Sequence, residues 1–273
     1  MPLIVVTGAS TGIGRACAEH YSRQGWTVIG TARDPQRLAD VAWPGPGTVH
    51  LEPLDLDTPG SGAAFAEVVL ERYGVPEVVL ANAGMVQFGP IEAATPEQIE
   101  RIFRVNTFEQ VGMAVAFVPA MRERGGGTLA LVTSLGGRMT FPFFGIYNAS
   151  KHALEGFAEG LWHELKASGI RVKAIEPGFV ETAIWGKALP ERPEDLDAPE
   201  QYRAPMLSML KFEEGISDRT PPEKAAEEIA AAIADASDRL LYPVAAYARP
   251  ILAARRLLGD QRLMRFFHKR WLG

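Results

Sequence analysis

"LIVVTGASTGIG", Leu3 to Gly14, sets a short apolar run against three glycines. Leu3–Thr7 has the length and continuity of a strand buried on both faces. "GIGRACAEHYSRQG" follows with helical spacing and stops at Gly25, a helix-ending residue. Between them, "TGASTGIG" (Thr7–Gly14) places Gly8, Gly12 and Gly14 where a strand gives way to a helix. Glycine permits a tight turn and lets backbone amides approach a pyrophosphate. The helix start adds free N–H donors and partial positive charge. The spacing G-x-x-x-G-x-G departs from the commoner G-x-G-x-x-G, so an ordinary glycine-rich turn is the competing reading. Its place directly behind an N-terminal strand favours the nucleotide.

Outward from this turn the alternation continues. "WTVIGTAR", "TVHLEPLDL", "PEVVLANAG", "GTLALVTS", "IRVKAIEPG" and "RLLYP" read as six more strands, most of them separated by helical patterns. Such alternation predicts an α/β fold: a Rossmann-type doubly wound, mostly parallel seven-stranded sheet with helices on both faces. The 273 residues show no internal repeat or long linker, so residues 1–273 are expected to form one domain. Within it, 185–220 is expected to be a substrate lid and 250–273 a C-terminal amphipathic segment.

Composition narrows the classes. The chain is 47% hydrophobic and 22% charged, which supports a real core. A net charge of −5 speaks against a nucleic-acid binder. The one cysteine, Cys17, excludes an internal disulfide and suits a reducing compartment. The N-terminus reads as a strand and not as a leader, so a cytoplasmic location is expected. The histidines show no metal-ligand spacing among themselves or with Cys17, and no metal is expected.

About 20 residues past the glycine turn, where an acid would grip a ribose, the chain reads "TARD" (Thr31–Asp34). The second strand is expected to end at Ala32. Arg33 is then placed to pair with a 2′-phosphate. Asp34 can serve an NAD ribose or cap a helix starting near Pro35, and the cap is favoured.

"YNASKHALEGF" (Tyr147–Phe157) puts Tyr147 and Lys151 on one helical face. A phenol of pKa ~10 is a poor base at neutral pH. A neighbouring ammonium lowers it, and reaching ~7 takes roughly 4 kcal/mol, within reach of Lys151 plus a bound nicotinamide. By itself, Y-x-x-x-K is more often a surface pair.

Here it is not by itself. The glycine turn, "ANAG" (Ala81–Gly84), Asn106, Ser134, Tyr147, Lys151 and "PG" (Pro177–Gly178) share the order and approximate spacing of the short-chain dehydrogenase/reductase family, which the chain resembles from residue 1 to about 182. The resemblance implies that Tyr147 is the acid/base and that Ser134 bonds the substrate oxygen. Lys151 would lower the tyrosine pKa and hold the nicotinamide ribose, and Asn106 would support a relay water. It further implies cofactor contacts from Gly8, Ser10, Thr11, Gly12, Ile13 and Gly14, and from Arg33 at the 2′-phosphate. Asp55 and Leu56 would meet the adenine. Asn82 would tie neighbouring strands, with Ala83 beside it, and Gly84 would let the backbone pass the ribose. Pro177, Gly178, Val180 and Thr182 would meet the nicotinamide. Thr11 departs from the basic residue of many NADP-using members, which leaves Arg33 to discriminate.

The implied activity is NADP(H)-dependent hydride transfer, with NAD(H) second, on a small apolar ketone, aldehyde or secondary alcohol. Met85, Met139, Phe141, Phe144, Phe179, Trp185, Met206 and Met209 are the expected pocket walls. Two alternatives stay open: a non-catalytic NADP(H)-binding sensor, and a same-scaffold enzyme of different net reaction, an epimerase or dehydratase. The tail from Arg255 to Arg270 reads as a basic helix with Leu263, Phe267 and Trp271 on an apolar stripe. Packing is favoured over a membrane-surface anchor, because an acidic body is repelled by anionic lipid. A homodimer or homotetramer through Arg101–Met121 and Tyr147–Ala167 is expected from the resemblance.

Overall fold

The computed structural model describes residues 1–38, 40–184 and 198–272. Strands β1 (Leu3–Val6), β2 (Thr27–Ala32), β3 (Thr48–Pro53), β4 (Val78–Ala81), β5 (Gly127–Val132), β6 (Ile170–Pro177) and β7 (Leu241–Val244) are the seven expected from the sequence. They form one sheet in the order β3-β2-β1-β4-β5-β6-β7, with every neighbouring pair parallel.

The apolar run that opens the chain is buried on both faces. Leu3 and Val5 join one core, while Ile4 and Val6 join the other. Alternate residues of a strand point to opposite faces, so a strand between two helical layers must be apolar throughout. Helices α1 (Gly12–Arg23), α2 (Ser61–Arg72), α3 (Pro96–Phe103), α4 (Glu109–Arg124) and α5 (Gly145–Leu165) precede β6. After it come α6 (Glu200–Glu214), α7 (Pro222–Ala234), α8 (Ala248–Leu258) and α9 (Asp260–Leu272). Phe65 of α2, Phe117 and Met121 of α4 and Leu154 of α5 cover one face. Cys17 and Tyr21 of α1 and Ile229 of α7 cover the other.

One local device aligns α2 with α4. The buried Glu109 carboxylate accepts from the N–H groups of Gly60 and Gly62, both at 2.9 Å. It thereby satisfies orphan donors that Gly60, lacking a side chain, cannot cap itself.

A third apolar cluster lies outside the sheet layers. Val86, Met139, Phe144, Tyr147, Met209 and Leu263 are its buried members, with Phe212, Ile251 and Phe267 packed against it. It joins α6, α8 and α9 to the start of α5 as a cap. The tail corrects the single helix expected from Arg255 to Arg270. Gly259, at φ +74, breaks it into α8 and α9, because a left-handed residue stops a helix. Leu263 is buried and Phe267 partly so, as the packing reading expects, whereas Met264 and Phe266 are exposed. Among the described residues, no helix is long and apolar enough to cross a membrane.

Candidate active site

The strand order reverses between β1 and β4, where parallel sheets open a crevice beyond their C-terminal ends. A cleft of about 420 Å³ lies there. Gly8 (φ +70) and Gly12 (φ +57) adopt the left-handed conformation that the turn requires. At Gly14 space is the constraint: a Cβ would overlap the Gly8 carbonyl. Gly14 therefore packs beneath the loop, while Gly8, Ser10, Thr11, Gly12 and Ile13 line the cleft. Thr11, the N-cap of α1, makes no side-chain cap bond, which leaves the helix start open to an anion.

A hydrogen-bond knot holds this loop to β4. Asn82 Nδ2 donates to the Thr7 carbonyl at 2.8 Å, the strand-tying role the resemblance implies. Thr7 Oγ1 accepts from the N–H groups of Asn82 (2.8 Å) and Ala83 (2.9 Å) and donates to Gln110 Oε1 at 3.3 Å. Thr7 and Gln110 escaped the sequence reading, since nothing local marks a contact across 103 positions.

At the far end β2 stops at Ala32, as expected, and Arg33 lines the cleft exposed, with no ion-pair partner among the described residues. The helix expected near Pro35 is a short 3₁₀ turn, Pro35–Leu38. Asp55 and Leu56 line the cleft, as do Asn82, Ala83 and Gly84. Arg101, not foreseen, lines it too and is paired with Asp57 at 2.7 Å. Pro177, Gly178, Val180 and Thr182 form the opposite wall. A Cβ on Gly12 would stand 3.1 Å from Thr182 Cγ2, so this wall closes against the glycine loop. A Cβ on Gly84 would come within 3.2 Å of Asn106 Oδ1 and 3.5 Å of Lys151 Nζ. A bare trough thus runs from Arg33 past the helix start to Lys151, and a dinucleotide fits it.

Ser134 stands two residues beyond the end of β5, and its Oγ accepts from Gly136 N–H at 2.9 Å. It lies close enough to the Tyr147 hydroxyl to favour its phenolate. Tyr147 and Lys151 are both buried on the first turns of α5. Lys151 Nζ donates to the Val132 carbonyl at 2.9 Å. Burial pushes Lys151 down to about 8, opposed by Glu155 one turn further along. Burial also pushes Tyr147 up, with the neighbouring Ser134 hydroxyl only partly opposing it. The expected lowering of the phenol is therefore absent in the protein alone. Desolvation penalises the phenolate, and the ammonium that would offset this is bonded to a carbonyl.

Asn106 lies fully buried in a π-helical turn, Arg104–Phe108, between α3 and α4. Its Oδ1 accepts from Met85 N–H (2.8 Å), and its Nδ2 donates to the Met85 carbonyl (2.9 Å) and Ser150 Oγ (3.0 Å). With the side chain committed, a relay water would have to be held by the main chain of the widened turn.

Behind Lys151, Glu155 and Glu176 are buried close enough to repel. Burial chiefly, then Glu155, pushes Glu176 up to about 7, while Arg138 pulls it down. The sequence held a signal for both: one lies four residues after Lys151, the other immediately before Pro177.

Beside Tyr147 a chamber of about 30 Å³ is walled by Phe141, Phe144, Phe179, Met209 and Phe212. Met85 lines the cofactor cleft, and Met139 lines an outer groove separated from the chamber by Phe141. Met206 is buried without lining any of these cavities, a correction to its expected wall role: it faces inward from α6 as packing. Trp185 and the rest of 185–197 in the expected lid lie outside the described residues; the remainder, 198–220, is largely helix α6.

A doubly wound parallel sheet with a dinucleotide trough leading to Ser134 and the buried Tyr147 and Lys151 is the architecture of a nicotinamide-dependent oxidoreductase. The chain belongs to the short-chain dehydrogenase family, whose model matches residues 2–193. An uncharacterised oxidoreductase of Schizosaccharomyces pombe is 34% identical over 76% of this chain and 86% of its own. An NADPH-dependent 3-dehydrocapnine reductase of Ornithobacterium rhinotracheale is 34% identical over 69% of each chain. The crystal structure of a short-chain dehydrogenase from Streptomyces avermitilis superposes with a TM-score of 0.82 at 31% identity, covering 99% of this chain and 97% of that one.

Proposed function

We propose that the protein is an NADP(H)-dependent oxidoreductase interconverting a hydrophobic ketone or aldehyde and its alcohol. The observation that carries this reading is the apolar chamber abutting Ser134 and Tyr147 at one end of a trough whose other end is Arg33. When bound, the nicotinamide supplies or accepts the hydride. Tyr147 donates its hydroxyl proton to the substrate oxygen during reduction and recovers it from the alcohol during oxidation. Ser134 donates a second hydrogen bond to that oxygen. Lys151 holds the nicotinamide ribose and offsets charge left on Tyr147. Its position near pH 8 implies that reduction weakens as pH rises beyond that value and the ammonium is lost. A neutral, buried phenol favours the reductive direction at neutral pH. The intact acid/base set speaks against a sensor, which has no need of one.

Arg33 supports NADP(H) over NAD(H), as does the NADPH dependence in the name of the relative from Ornithobacterium rhinotracheale. A charge-assisted bidentate contact is worth ~1.5–3 kcal/mol, or about one to two decades in affinity. Titration with NADPH and NADH should show that preference, and Arg33→Ala should abolish it by weakening NADPH alone. Equal affinities in the unaltered protein would assign the ribose to Asp34 instead.

Association into a homodimer or homotetramer belongs to the same proposal. It is supported by Phe108, Val115 and Phe157, 53%, 45% and 44% exposed on or beside the long helices α4 and α5. A cytoplasmic location is proposed from the single, buried Cys17.

A further inference from the structure

The chamber beside Tyr147 is not uniformly apolar. Asn148 and Glu213 line it as well, and the proton transfer uses neither. Asn148 is 0% exposed, and its Oδ1 has no hydrogen-bond partner among the described residues. Its Nδ2 makes only a long bond to the Phe141 carbonyl, at 3.3 Å. Buried acceptors are normally satisfied, and one left open beside a reaction centre points to a donor from outside the chain.

Gly136 locates that acceptor. A Cβ at Gly136 would stand 2.5 Å from Asn148 Oδ1 and 3.3 Å from both Ser134 Oγ and Tyr147 Cε1. The open oxygen therefore lies against Gly136, beside Ser134 and the Tyr147 ring. Glu213, on α6, borders the same chamber. Arg219 donates to its Oε1, and no described donor reaches Oε2. The free volume of about 30 Å³ admits one small polar group without displacing the phenylalanines.

We propose that Asn148 and Glu213 receive a hydrogen-bond donor, a hydroxyl or an ammonium, carried beside the reacting carbon of an otherwise apolar substrate. This rests on the carbonyl reading above. Apolar walls tolerate a plain ketone and a substituted one alike. Buried acceptors do not, because a substrate without the donor leaves them unpaired. Asn148 accepts from either group, whereas the Glu213 carboxylate favours the ammonium.

The test uses octanone as the methyl ketone, with its α-hydroxy and α-amino derivatives, under NADPH. At least one substituted ketone should show kcat/KM about tenfold or more above the plain one. In Asn148→Ala that ratio should collapse, mainly through KM. In Glu213→Gln it should fall more for the amine than for the hydroxyl. Equal kcat/KM for all three overturns the proposal and leaves Asn148 a partner of trapped water only. So does an advantage that survives Asn148→Ala. NADPH titration of each variant verifies that it is folded; should Asn148→Ala not fold, the three-ketone comparison in the unaltered protein decides.

Absence of NADPH oxidation with every ketone would overturn the reductase reading instead. The inference is then decided by calorimetric binding of octanol and its hydroxy and amino analogues to the protein–NADP⁺ complex. Equal dissociation constants reject it, and tenfold tighter binding of a substituted alcohol supports it.

Discussion

From Leu3 to Gly84 the molecule builds its binding surface from main chain; in the cap, from Met139 through α9, it builds with side chains. In the first region Gly8, Gly12 and Gly14 set the path, and Thr7, Asn82 and Gln110 pin it to β4. Most of the available error is removed by hydrogen bonds with defined lengths. In the cap, Met209, Phe212, Leu263 and Phe267 pack around Tyr147, with Arg219–Glu213 and Arg255–Asp260 among the few polar ties. Dispersion and apolar burial have no preferred direction, so such a region can exchange residues and keep its volume. On the proposed function, the first half serves the dinucleotide and the second the substrate.

The sharpest probe of that division is the residue that belongs to both halves. Tyr147→Phe keeps the ring's packing and removes the proton. Turnover should fall by about 10²-fold or more while NADPH binding persists. Activity within a few-fold of the unaltered enzyme would place the acid elsewhere.

A smaller effect is expected in the cap. Leu263→Ala empties a buried anchor of α9, a kind of change that removes about 2–5 kcal/mol of packing in a rigid core. Faster hydrogen exchange in α9 and a KM raised by roughly tenfold should follow, with the NADPH dissociation constant unmoved. If cofactor affinity falls in parallel, the two halves are energetically one unit and the comparison fails.

The smallest effect lies at the seam. Glu176 holds its proton in the folded protein up to about 7, against an ordinary value of 4.5. An acid whose folded pKa is raised stabilises the fold at low pH, and that contribution is lost as pH rises through this window. Glu176→Gln should flatten the decline in Tm between pH 5 and 8, leaving the variant a few degrees ahead at the upper end. Parallel Tm curves for the two proteins would show that Arg138 already keeps Glu176 charged.

Much of the nucleotide half is legible in the sequence. Leu3–Val6 announced a strand between two layers because both faces need apolar residues. Tyr147 and Lys151 were legible because four residues is one turn. The seven strands, the end of β2 at Ala32 and the tie through Asn82 follow from patterns a few residues long. Asn148 was in plain sight inside the motif, yet its open oxygen is visible only once Phe141 and Gly136 are folded against it. The tail is half legible: the spacing of Leu263 and Phe267 marks the inward face, while the same spacing runs on without marking the break at Gly259.

Local order in this chain, meaning where strands, turns and the Tyr147–Lys151 turn fall, follows from steric and periodic rules acting over one or two turns of backbone. Protonation and specificity do not. Glu155 stands beside Glu176 across 21 positions of chain, and Glu213 borders the chamber of Tyr147 across 66. Whether a carboxyl keeps its proton, or an amide oxygen is left open, depends on which distant groups exclude water from it. Desolvation is a property of the assembled surroundings and has no period in the sequence.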